Sequence, residues 1–356
     1  MDGEIAEAIA RRIDLARQIG LAKSRGHVAL RDFATEKKVL ARWRDRLAET
    51  GIGSAQSAAL ARWLIQESLR VQESIPVAAR PPRGPSSRVA IVGGAGAMGR
   101  WLDGFLTDEG HEVRILDPRA DPGSPRTLPS LEAAMEWGEV VAFATPIRST
   151  APLLEKSLSR RSDSVVFDIL SVKAPLLPVI RAAIQRGRHV ASAHPMFGPS
   201  ARTLSGRNLL LVSCGDSVAD QTVRALFSRS ALTLHEVPIE RHDQLIAESL
   251  GLAHAVNLLF LSALVSDPLT PLDLATGAST TFQGQSSLAA VVAGEGPELY
   301  LDIQSQNPHS RAVYAELRSA LDRLEGIVQR RDLPGFQELL RAGRAKLVPG
   351  PEPMRA

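Results

Sequence analysis

The sequence predicts an α/β chain in three parts: an all-helical N-terminal segment, a central parallel sheet with interleaved helices, and a helical C-terminal segment. Three observations predict it. Residues 4–74 contain no proline and place Ile5, Ile9, Ile13 and Ala16 at helical spacing. Short β-rich runs then recur at 89–92, 112–116, 140–144, 165–169 and 189–193, with helical stretches between several of them. From Glu240 onward the pattern is helical again.

Taken in order, further helices are expected at 35–49, stopped by Thr50-Gly51-Ile52-Gly53, and at 54–73. Helices this polar, with little chain between them, bury no core alone, so packing against a second copy is expected. Residues 75–88 are a linker stiffened by prolines. Runs at 209–212 and 232–237 add strands, and residues 348–356 form a tail expected to be disordered. The expected division is 1–74, linker 75–88, sheet domain 89–238, helical domain 239–347 and tail 348–356.

A chain of 356 residues exceeds one ordinary core, and its 44% hydrophobic and 23% charged residues are a globular balance. No apolar run is expected to reach the roughly 18 residues of a membrane span. The acidic start Asp2-Gly3-Glu4 is unlike a signal peptide. The single cysteine, Cys214, excludes an internal disulfide and suits a reducing cytoplasm; at a strand end it reads as a packed thiol rather than a nucleophile. A net charge of +3, scattered arginines and 4% aromatics point away from nucleic acid. No His, Asp and Glu cluster has metal-ligand spacing.

The strand at 89–92 runs into Gly93-Gly94-Ala95-Gly96-Ala97-Met98-Gly99. Gly94, Gly96 and Gly99 make G-x-G-x-x-G at a strand-to-helix turn, the dinucleotide-binding turn of a Rossmann domain. Gly94 is read as permitting the tight turn, Gly96 as letting a pyrophosphate approach, and Gly99 as letting helix and strand pack. Ala97 and Met98 then open the helix whose N-terminus favours phosphate. Asp117 ends the next strand, where a carboxylate accepts ribose hydroxyls and repels a 2′-phosphate. NAD is therefore favoured; Arg119, a partner for that phosphate, keeps NADP as an alternative. Thr145 and Pro146, after the run at 140–144, stand where such folds pass the cofactor.

Two further segments are more specific: Asp168-Ile-Leu-Ser171-Val172-Lys173 and His194-Pro195-Met196-Phe197-Gly198-Pro199. With Arg241-His242-Asp243-Gln244, with His254 and with Pro297-Glu-Leu-Tyr-Leu-Asp-Ile303, they make residues 88–345 resemble the prephenate dehydrogenase family. The resemblance implies oxidative decarboxylation of prephenate or its 4-amino-4-deoxy analogue, a small-molecule substrate and a homodimer. It implies that His194 removes the proton of the ring hydroxyl, a role that suits an imidazole, and that Ser171 lies near the nicotinamide. Lys173, His242 and His254 match substrate-site positions. For Lys173 a solvated side chain is the alternative reading, and for the two histidines a structural role. At the position of the family's substrate-binding arginine stands Gln283, which brings no charge. Exchanging a charged hydrogen bond for a neutral one costs roughly 1–2 kcal/mol.

The N-terminal helices resemble the all-helical chorismate mutases fused to some members of that family. Arg12, Lys23, Asp32, Glu36, Ser68 and Gln72 match site positions; Thr35 stands where a second arginine is usual, and the arginine from the start of the first helix would lie before Met1. The resemblance thus implies a mutase segment of impaired activity. A fully bifunctional isomerase and dehydrogenase is the alternative. A non-catalytic regulatory protein is disfavoured by the intact glycine turn, Asp117 and His194.

Overall fold

Seven strands join in one sheet among the residues described by the computed structural model, which are 1–25, 33–73, 86–159, 162–199, 201, 204, 206–266 and 268–347. The strands are β1 (Arg88–Val92), β2 (Glu112–Leu116), β3 (Val140–Phe143), β4 (Val165–Asp168), β5 (Val190–Pro195), β6 (Asn208–Ser213) and β7 (Thr233–Pro238). Their spatial order is β2-β1-β3-β4-β5-β6-β7. The first five are parallel, and α4 (Ala97–Asp108), α5 (Leu131–Trp137), α6 (Ile147–Leu158) and α7 (Leu177–Gln185) lie between them in the chain. The sequence reading gave a parallel sheet for the first five runs and no direction for the two added strands; β6 runs antiparallel to β5. The connection, residues 196–207, carries turn formers such as Gly198, Pro199 and Gly206, and antiparallel neighbours need no crossover helix. After α8 (Ser217–Phe227), β7 then pairs parallel to β6.

Buried aliphatic residues of the strands, among them Val89, Ile91, Val140 and Ala142, face Leu102, Phe105 and Leu106 of α4. Fully burying such a side chain is worth about 1.5–3 kcal/mol. An aromatic chain runs through this layer. Phe105 stacks on Phe227 at 5.3 Å, Phe227 meets Phe167 edge-on, and Trp101 stacks on Phe105 and takes Phe197 edge-on at 5.0 Å. The last contact fastens the segment after His194 to the helix after the glycine turn.

At the N-terminus, α1 (Asp2–Arg25) and α2 (Phe33–Ala48) both pack on α3 (Ser54–Glu73). Ala16, Ala58 and Ala61 are buried, and their small side chains permit close helix approach. Ile5, Leu15, Ile19, Leu60 and Trp63 remain exposed. Most of the expected linker and all of the tail fall outside the described residues.

The chain divides into two compact units, Met1–His242 and Asp243–Ala356. The second is helical: α9 (Ile239–Ile246) leads into it through a wide π turn at Ala247–Gly251, followed by α10 (Leu252–Val265), α11 (Pro271–Thr276), α12 (Thr280–Ala293), α13 (Pro297–Gln306), α14 (Ser310–Gln329) and α15 (Leu333–Leu347). No unbroken apolar run reaches 18 residues, but a test averaged over a window differs. Ile239–Val265, 27 residues, meets that test by length and composition. Its charges, Glu240, Arg241, Asp243 and Glu248, all lie in the first ten residues, so a window over the rest is apolar although polar residues interrupt every local run.

Gly93, not Gly94, takes the left-handed backbone conformation of the turn, with φ of +88°. A side chain there would also meet the Ala144 carbonyl oxygen at 2.7 Å, and a Cβ on Gly99 would collide with the Gly93 carbonyl oxygen. Gly99→Ala is therefore expected to destabilise the first unit by about 1–3 kcal/mol. A urea unfolding midpoint equal to wild type would show that the turn relaxes at no cost.

Candidate active site

The chain leaves β1, forms β2 on one side and crosses to β3 on the other, which opens a crevice beyond the carboxyl ends of β1 and β3. The glycine turn lies there, with Gly93 N donating to Leu116 O at 2.8 Å and Gly96 N to Gly93 O at 3.1 Å. The N-termini of α5 and α8 are capped by side chains, Ser130 and Asp216. Those of α4 and α6, which follow β1 and β3, have Gly96 and Pro146 at the cap and no side-chain cap bond. Ala97 and Pro146 are exposed, Met98 and Thr145 half-buried, and Thr145 Oγ1 is 2.7 Å from Thr150 Oγ1. Asp117 is buried: Oδ2 accepts from Ala95 N at 3.1 Å and Oδ1 from Arg119 N at 2.9 Å and Arg119 Nε at 3.4 Å. Burial alone would raise its carboxyl, but the bonds from Arg119 and Ala95 outweigh burial and lower it. Two uncapped helix ends, a backbone with no room for side chains and an ionised acid fit a dinucleotide.

His194 closes β5 on the same edge of the sheet and is 2% exposed. Its Nδ1 lies 3.0 Å from Nε2 of His242, itself 0% exposed. Burial, then His242 and Lys173, hold His194 well below the ordinary imidazole value. Lys173 is also 0% exposed; its Nζ donates to Asp168 Oδ1 at 2.6 Å and to Ala193 O at 2.8 Å. The sequence reading set Lys173 between a substrate contact and a solvated lysine, and His242 among the substrate contacts. The reading also left a structural role open for His242; both side chains are buried, which removes only the solvated alternative for Lys173. Ser171, half-buried, stands between Asp168 and Lys173 in the chain. Asp168 was legible only as part of its motif, and nothing in the spacing announces a contact between histidines 48 positions apart.

Residues 126–212 match the family model described as the nucleotide-binding domain of prephenate dehydrogenase, and residues 1–73 match chorismate mutase type II. A 4-amino-4-deoxyprephenate dehydrogenase from Streptomyces pristinaespiralis is 31% identical over 263 residues, 71% of this chain and 88% of that protein. The chain belongs to the prephenate dehydrogenase family. A T-protein of Haemophilus influenzae is 22% identical over 347 residues, 94% of this chain and 86% of its own length. Among solved structures, prephenate dehydrogenase from A. aeolicus in complex with hydroxyphenyl propionate and NAD+ aligns with a TM-score of 0.60 at 19% identity. It covers 74% of this chain and 99% of that one, a likeness of fold.

In this dehydrogenase the remaining candidates lie elsewhere. His254, in the second unit, has its ring 4.3 Å from Tyr300, and its Nδ1 is buried without a hydrogen-bond partner among the described residues. Burial lowers the His254 pKa. Gln283 is exposed on α12, and two residues on Gln285 Nε2 donates to Asn257 Oδ1 at 3.0 Å. Tyr300, Asn257 and Gln285 were not singled out from sequence, although Tyr300 lies within the Pro297–Ile303 motif.

In the mutase-like segment, Ser68 and Gln72 are buried one turn apart on α3, with Gln72 Nε2 donating to Ser68 O at 3.2 Å. Arg12 Nε and Gln72 Oε1 are buried without hydrogen-bond partners among the described residues, and burial lowers the Arg12 pKa. Lys23 and Glu36 are half-buried, and Asp32 lies outside the described residues.

Removing the buried ammonium would strand Asp168 in the interior. Lys173→Met should lower stability by about 3–5 kcal/mol, and adding Asp168→Asn should recover part of that. Chemical denaturation of both variants checks it; a single variant as stable as wild type would contradict the buried pair.

Proposed function

We propose that this enzyme oxidatively decarboxylates a prephenate-type cyclohexadienyl dicarboxylate, with NAD as the cofactor and 4-amino-4-deoxyprephenate as the preferred substrate. The observation that carries the reaction is His194: an imidazole kept neutral at the sheet edge that also bears the glycine turn. His194 takes the proton of the ring substituent as hydride leaves and returns it once the ring aromatises, and Ser171 lines the same site. Bound NAD supplies the hydride acceptor. The substrate's ring carboxylate departs as CO₂, and aromatisation drives that loss, so the protein need supply neither a strong acid nor a metal. Asp117, held ionised, supports NAD over NADP.

Two observations support the amino analogue. The relative at 31% identity bears the name 4-amino-4-deoxyprephenate dehydrogenase. Gln283 stands where the family resemblance implies an arginine. In the N-terminal segment, the retained Arg12, Lys23, Glu36, Ser68 and Gln72 with Thr35 in place of an arginine support a mutase site of weakened activity. His254 is read as a substrate contact in the second unit. Exposed apolar side chains such as Leu259 and Val265 on α10 and Leu288 and Val291 on α12 support a homodimer.

His194→Asn should lower kcat by about 10²–10⁴ while leaving NAD binding intact. The sign of the pH dependence follows from the lowered pKa. The neutral imidazole is the active form, so kcat/KM for prephenate should stay flat above about 6.5 and fall only in more acidic solution. A variant within a few-fold of wild type, or an acid limb centred above that value, would remove His194 as the base.

Substrate choice is tested by following NADH with both substrates on two proteins. Wild type should favour the 4-amino analogue, and Gln283→Arg should lose activity as the larger side chain crowds the site. A gain on prephenate of about ten-fold, the worth of the missing charge, would instead make prephenate the native substrate.

A further inference from the structure

The contact between His194 and His242 constrains the chemistry more than either residue alone. Both rings are buried, their centroids are 5.2 Å apart and their planes are inclined by 52°. His194 ends β5, while His242 sits on α9. Between two neutral imidazoles, a 3.0 Å nitrogen–nitrogen contact holds one proton, and it can be arranged in two ways. Either His194 donates from Nδ1, which leaves its Nε2 with a free lone pair, or His242 donates from Nε2. The second arrangement puts the His194 proton on Nε2 and makes that atom a donor, useless for accepting a proton from substrate.

We propose that His242 is a positioning residue that accepts the Nδ1 proton of His194 and so fixes the tautomer in which Nε2 of His194 is the base. This inference rests on the base reading of His194. It follows from continuity between the resting and the protonated states. When His194 gains a proton both its nitrogens carry hydrogen, so it can only donate to His242. In the first arrangement that hydrogen bond already exists and strengthens as charge arrives, becoming charge-assisted as the reaction proceeds. In the second, His242 would have to reverse its own proton during the step.

The surroundings favour a neutral partner. The buried ammonium of Lys173 donates to Ala193 O, the residue beside His194, and disfavours a second cation. A carboxylate at position 242 would instead hold His194 protonated. An imidazole orients the ring without adding charge. Lys173, acting on the strand, and His242, acting on the ring, thus fix the base from two directions.

Two measurements test this. In protein with ¹⁵N-labelled imidazoles, at about pH 8 where ordinary histidines are neutral, His194 should give a protonated Nδ1 and an unprotonated Nε2. Observation of the Nε2–H tautomer in wild type would overturn the proposal without requiring any variant to fold. In kinetics with prephenate and 4-amino-4-deoxyprephenate, His242→Leu should lower kcat roughly 10–10²-fold with KM unchanged. His242→Gln, whose amide oxygen can accept the same proton, should recover most of the loss. Full activity in His242→Leu, or a Gln variant no better than Leu when both unfold like wild type, would refute the positioning role. Failure of the base reading shows separately, as retained activity in His194→Asn.

Discussion

An ammonium group with no solvent contact bridges the ends of two neighbouring strands in this enzyme, and much of the active-site architecture depends on it. Lys173 Nζ joins the Asp168 carboxylate, at the end of β4, to the Ala193 carbonyl one residue before His194. Desolvating such a pair costs several kcal/mol per ion, so a core built for stability alone has cheaper solutions. What the pair provides is placement. It holds the strand that carries His194 and sets a fixed positive charge near it, which with burial favours the neutral imidazole. The proposed role of His194 as a base requires that unprotonated state.

The rest of the first unit is arranged around that edge of the sheet. The same topology that brings β5 alongside β4 brings the glycine turn and the uncapped start of α4 to the edge where His194 lies. The edge-on contact of Phe197 with Trp101 ties the two halves together, since one residue follows His194 and the other follows the glycine turn. The glycine turn and His194 therefore share one packed layer, the kind of rigid support that the proposed chemistry requires. The N-terminal helices and the second unit follow other rules. Each leaves apolar side chains in solvent, and Gln72 Oε1 and His254 Nδ1 are buried with no hydrogen-bond partner among the described residues.

The sequence by itself determined whatever is encoded in near-neighbour spacing. Helical periodicity marked α1 to α3, short β-rich runs marked the strands, and a glycine pattern followed by Asp117 marked the cofactor crevice, because each depends on the conformation of a few consecutive residues. Only the tertiary structure decided the rest. It gave the left-handed conformation to Gly93 rather than Gly94, at a turn packed against the carbonyl of Ala144 just past β3. It turned β6 antiparallel, and it took Lys173 and His242 out of reach of solvent. It paired two histidines 48 residues apart. Such outcomes depend on which strand lies beside which and on which side chains then share a buried volume. The cost of leaving a polar group unpaired there is set by neighbours distant in sequence, and no local pattern records them.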